Sequence, residues 1–137
     1  MAAFSNWMED AIINFFLRNN ADTISAPNPI YLALFTADPT DTGSFTNEVT
    51  NTPNSYARQT ITFDDPAASG NANETQNSAD VTFTDMPGVT VTHFAITDSG
   101  TYQSGNVLFH GSLSASVSPS AGDTVTLSAG NLTIGLD

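Results

Sequence analysis

Between Phe4 and Phe16, apolar side chains recur at steps of three and four: Phe4, Trp7, Met8, Ala11, Ile12, Phe15 and Phe16 form one wide stripe, and Glu9, Asp10 and Asn14 lie opposite. This spacing predicts an amphipathic helix over about residues 5–19. Asn6 is the expected N-cap, with Glu9 three residues on in capping-box spacing, and both Glu9 and Asp10 suit the positive end of the helix dipole. Arg18 falls in the last turn, where a cation meets the negative end, and Asn19-Asn20 is the expected stop.

After the helix the period changes to two. Ile30–Thr36 is apolar on both faces, as in a strand covered on two sides, and the helix is its expected cover. Further strands are predicted at Tyr56–Phe63, Ala79–Thr84, Val89–Thr97, Asn106–Leu113, Thr124–Ser128 and Leu132–Leu136, most alternating apolar residues with Thr or Ser. Val89 and Val91 share one parity while Phe94 and Ile96 share the other, which places a β-bulge near His93. The last two strands are expected to form a hairpin around Ser128-Ala129-Gly130-Asn131. Two connections, Ala37–Ser55 and Asp64–Ser78, are rich in Pro, Gly, Asn, Asp and Thr; connections of that length are commonly functional or held by a partner. The pattern as a whole predicts a mainly β protein, an antiparallel β-sandwich or jelly roll of about seven to eight strands with one N-terminal amphipathic helix. One domain over 1–137 is expected, with the helix at 5–19 and the sandwich at 30–137.

Charge narrows the function. Fourteen acidic residues face two cationic ones, Arg18 and Arg58, for a formal net charge of −12 in a chain with neither lysine nor cysteine. Such a surface repels nucleic acid and anionic membranes, and acids on the polar face of the helix exclude a membrane-surface role. No apolar run reaches the length of a membrane span, and the N-terminus lacks the basic region of a signal peptide, so a soluble, non-secreted product is expected. Without cysteine, packing and backbone pairing alone hold the fold. The Asn-x-Ser/Thr matches at Asn73 and Asn131 are expected by chance in so Asn- and Thr-rich a chain.

Catalytic signatures are missing. His93 and His110 lie inside predicted strands, where histidine usually packs or hydrogen-bonds, and they lack the spacing of a zinc pair. Acids gather in the loops, Asp38, Asp41 and Glu48 in one and Asp64 and Asp65 in the other, but their spacing fails the EF-hand pattern and solvated turns are the simpler reading. Carboxylate pairs suited to glycoside hydrolysis lack an accompanying aromatic groove. There is no nucleophile elbow, phosphate-cradling loop or dinucleotide fingerprint. The expectation is a protein that is not an enzyme and needs no cofactor or metal. The helix stripe either caps this chain's own sheet or, with Phe4, Trp7, Phe15 and Phe16 as anchors, docks on a neighbour. The two arginines are expected in fixed roles, Arg18 closing the helix and Arg58 holding a carboxylate or carbonyl as a structural ion pair or cap.

Longer stretches add a resemblance. The helix followed by Tyr31-Leu32-Ala33-Leu34-Phe35-Thr36-Ala37-Asp38-Pro39-Thr40-Asp41 and by Tyr56-Ala57-Arg58-Gln59 resembles a group of small tailed-phage virion structural proteins. So do Asn77–Phe83, Val91–Asp98, Gly105–Gly111 and Ala121–Thr124, so that the likeness covers nearly the whole chain. Members of that group are tail-fibre-like or capsid-decoration-like. The resemblance implies a virion component that partners the major capsid protein or other virion proteins, as a homo-oligomer with a trimer favoured. Because 137 residues are short for a fibre shaft, the expected role is a decoration or cement protein on the outer capsid surface. The alternative is a tail-fibre or baseplate component that contacts a host receptor.

Overall fold

The computed structural model describes residues 2–20, 25–66 and 73–136. A short strand, β1 (Ala3–Phe4), leads into the helix α1 (Asn6–Leu17). The N-cap is Ser5 and not Asn6: its hydroxyl accepts from the Met8 N–H at 3.3 Å while donating to the Val107 carbonyl. That double use of one buried hydroxyl sets the start of the helix and puts Met8, not Glu9, at its third position, so no capping box forms. At the other end the Arg18 N–H reaches the Ile13 carbonyl, Asn19 takes φ 52°, and the Asn20 N–H closes on the Asn14 carbonyl. This is the left-handed stop that asparagine tolerates.

The remaining strands are β2 (Ile30–Phe35), β3 (Gln59–Ile61), β4 (Glu74–Gln76), β5 (Val81–Met86), β6 (Val91–Thr97), β7 (Val107–Val117), β8 (Asp123–Leu127) and β9 (Thr133–Gly135). All described pairings are antiparallel. One sheet has the order β1-β7-β6-β2-β3; β4 pairs with β9 and β5 with β8 in two small sheets. The main core joins these layers, with Leu32, Leu34, Phe94 and Ile96 from the large sheet meeting Phe83, Met86, Leu132 and Ile134. The mainly β, sandwich-like architecture thus follows the alternation in the sequence, with β1 and β4 as short additions that no periodicity marks.

Three expectations change. First, the helix does not cover β2. It leaves β1, which is anchored on the β7 edge, and so packs on β7 and β1. The outer face of β2 is covered instead by the following loop, whose Phe45 packs on Ala33, Phe35, Ala95 and Val107. Second, β8 and β9 are not a hairpin, because each pairs with an earlier strand. The turn between them does form, with the Asn131 N–H on the Ser128 carbonyl, but it is held by the fully buried Asn77. That side chain donates to the Ala79 and Ser128 carbonyls and accepts the Leu132 N–H. Third, the irregularity beside His93 lies mainly in the partner strand: Val91 is opposite Val117 but His93 is opposite Ser112, which leaves three extra residues in β7. Even so, Val91 and Phe94 both reach the main core across the parity change.

Candidate interaction surface

The long loop after β2 is held by this chain itself. Glu48 and Arg58 form a bidentate pair, Nε to Oε1 at 2.7 Å and Nη2 to Oε2 at 2.9 Å, with both side chains excluded from solvent. Arg58 Nη1 also donates to the Ser99 and Ser104 carbonyls at 2.7 and 2.8 Å, and the guanidinium lies 4.7 Å from the centre of the Phe45 ring. Glu48 Oε2 accepts the Gln103 N–H at 2.9 Å. One arginine therefore ties the 36–55 loop, β3 and the 98–106 loop together, which a single ammonium could not do.

The loop acids are likewise engaged. Asp38 and Asp41 face the two ring nitrogens of His110 at 3.1 and 3.2 Å. The Thr40 N–H, above all, holds the Asp38 carboxyl below its ordinary range; burial opposes it, and the nearby His110 and His93 add smaller lowering effects. Asp85 accepts from Asn54 Nδ2 and the Ser55 N–H, which lower its carboxyl too. Tyr56 stacks on Phe83 and accepts the Leu34 N–H, and burial pushes its phenol up. Among the described residues no group of three or more His, Asp and Glu could hold a metal ion, and none of these contacts assembles a nucleophile with a base.

What remains open is apolar. Of the four aromatic anchor candidates, Phe4 is used internally, its ring 4.8 Å from that of Phe109. Trp7, Phe15 and Phe16 stay exposed, and Ile13 and Leu17, which the stripe did not include, join them. Ala11 is the one buried residue of α1. Phe16 and Leu17 are 71% and 80% exposed. Arg18 stands beside this tip, bonded to Asn14 Oδ1 at 2.7 Å. The missed signal is legible afterwards: from Ile12 to Leu17 only Asn14 is polar, so the last turns are apolar all round and not amphipathic.

A second apolar feature went unnoticed because β7 runs past the predicted Leu113 to Val117. Beyond Ser112 the strand loses its β6 register until Val117, and β1 pairs only at Phe109 and His110. The layers part there, leaving a cleft of about 570 Å³ with Leu34, Phe83 and Phe94 at its floor and Leu113, Ala115 and Leu127 at its mouth.

Residues 3–135 match the model of a family described as podophage GP4 fiber I protein gp80. No curated protein matches the chain.

Proposed function

The chain belongs to the podophage GP4 fiber I protein gp80 family and is thus a bacteriophage virion structural protein; from that premise we propose that it is a component of a tail fibre. The observation that carries this reading is the family's fibre description. The short chain, which pointed instead to cement on the capsid, weighs less, because one compact β unit can be a member of an assembled fibre as easily as a knob on a shell. Its partners are then other virion proteins and further copies of itself, with a trimer the favoured form. It works by adhesion, where contacts repeated by symmetry add avidity that one interface lacks. The charge of −12 fits an exposed position, since a basic exterior would capture stray nucleic acid. No described cluster suggests catalysis, and binding without chemistry is the proposed role.

Gold-labelled antibody against the chain, imaged on intact particles, tests the location. Label confined to the tail, with a low copy number per particle by quantitative mass spectrometry, is the expected result. Label spread over the shell at hundreds of copies overturns the fibre reading in favour of capsid cement.

A further inference from the structure

We propose that the apolar tip of α1 in one copy inserts into the cleft between β7 and β8 of a second copy, giving a head-to-tail contact. The inference rests on the reading of the chain as an assembled virion component, and it specifies the contact that does the assembling.

Three observations point to a second copy as the occupant. The tip is apolar on all sides, and a helix of that kind is stable when surrounded, so it calls for a recess more than for a flat surface. At the tip itself Phe15 and Phe16, 37% and 71% exposed, present roughly 200 Å² if an aromatic offers about 150–250 Å² in full, and the exposed Ile13 and Leu17 enlarge this towards the few hundred Å² at which apolar patches mark interaction sites. The same chain supplies the recess. Its volume of about 570 Å³ lies within the roughly 300–1,000 Å³ that suits a bulky apolar group, and a phenylalanine with a leucine is such a group.

Charge selects the partner. Two copies at −12 each repel one another wherever acids meet, so they can touch only through acid-free surfaces. Neither Ile12–Leu17 nor any residue lining the cleft is Asp or Glu. A partner recruited by charge would instead seek the acidic loops and leave tip and cleft unused. Because tip and cleft are different surfaces, the contact is heterologous, and it closes into a ring or continues as a filament according to the rotation between copies.

The test uses the purified full chain in sedimentation velocity. Wild type is expected to associate with rising concentration. Phe16→Asp with Leu17→Asp removes the tip, and Ala115→Trp fills the cleft from its exposed rim; each is expected to raise the dissociation constant by at least about thirtyfold, as for an interface hot spot. Mixing the two variants is decisive. One keeps a working tip and the other a working cleft, so the mixture is expected to form one-to-one dimers and nothing larger. A wild type that stays monomeric, variants that associate normally, or a mixture that fails to pair overturns the contact. Circular dichroism checks that each variant keeps its strand signal, and Phe16→Asn alone replaces the double variant if it does not. Particle labelling is an independent readout: a monomer whose label still sits on particles overturns this contact and leaves the virion assignment standing, whereas association without label on particles does the reverse.

Discussion

Replacing Arg58 by lysine keeps the charge and removes the fork. The guanidinium now makes two bonds to Glu48 and two to the carbonyls of Ser99 and Ser104, with Thr97 Oγ1 a weaker neighbour at 3.3 Å. An ammonium has three donors on one atom and cannot face the carboxylate and both carbonyls from a single position. Removing one partner of a buried pair costs about 3–5 kcal/mol; lysine retains part of the attraction, so a loss of about 2–3 kcal/mol is expected. At roughly 2.1 cal/mol/K per residue, 137 residues give an unfolding entropy near 0.29 kcal/mol/K, and the expected fall in Tm is about 7–10 °C. Differential scanning calorimetry measures it. Arg18→Lys is the control, since its exposed bond to Asn14 is worth at most about 0.5 kcal/mol. An Arg58→Lys protein melting within about 2 °C of wild type, on the scale of a surface change, would refute the claim that this fork holds three segments together. Replacing both members, Arg58→Met with Glu48→Leu, should cost less than Arg58→Met alone, because no uncompensated charge is left inside.

Two further outcomes follow from the same contacts. Asn77→Ala leaves the buried Leu132 N–H without its acceptor and removes the donations to the Ala79 and Ser128 carbonyls, the second of which keeps the Asn131 N–H, and urea unfolding should show a loss of about 1–3 kcal/mol with an unchanged m-value; a midpoint shift corresponding to under about 0.5 kcal/mol would mean that the turn is held by something else. The carboxyls of Asp38 and Asp85 are lowered from an ordinary 3.8. A folded value below the unfolded one means their stabilisation is present above that pH and is lost as pH falls through the folded values. Melting temperature should therefore drop on acidification below about pH 4, and Asp85→Asn should flatten the drop; an identical acid profile for that variant would remove Asp85 from the account.

The helix and most strands were legible because their apolar spacing is local and strong. What sequence did not give was choice of partner. Both Ser5 and Asn6 are good cap residues, and the decision fell to a carbonyl on β7, more than a hundred residues away in sequence. The residues Ser128–Asn131 read as a turn and form one, yet turn chemistry cannot say which strand lies beside β8, and Asn77 with the second layer decides that. The cover of β2 was misassigned for a related reason: pattern shows that both faces are buried, not what buries them. For the candidate surface, Trp7, Phe15 and Phe16 stood out by size, whereas Ile13 and Leu17 were overlooked because they fall off the stripe. Conversely Phe4, which lies on it, is spent on Phe109. The cleft exists only through pairing that β7 does not make, and no single segment encodes that.

The contrast between the two arginines has a consequence for proteolysis. Trypsin cuts after lysine and arginine, and a chain with no lysine offers it two bonds, after Arg18 and after Arg58. The first lies at an exposed helix end; the second follows a side chain locked in the interior. Cleavage after Arg18 thus reports local fraying and separates α1 from the sandwich, while cleavage after Arg58 reports opening of the fold as a whole. Two fragments read two free energies in one gel lane, and shielding of the Arg18 bond as concentration rises would show the helix tip being taken up by a neighbour.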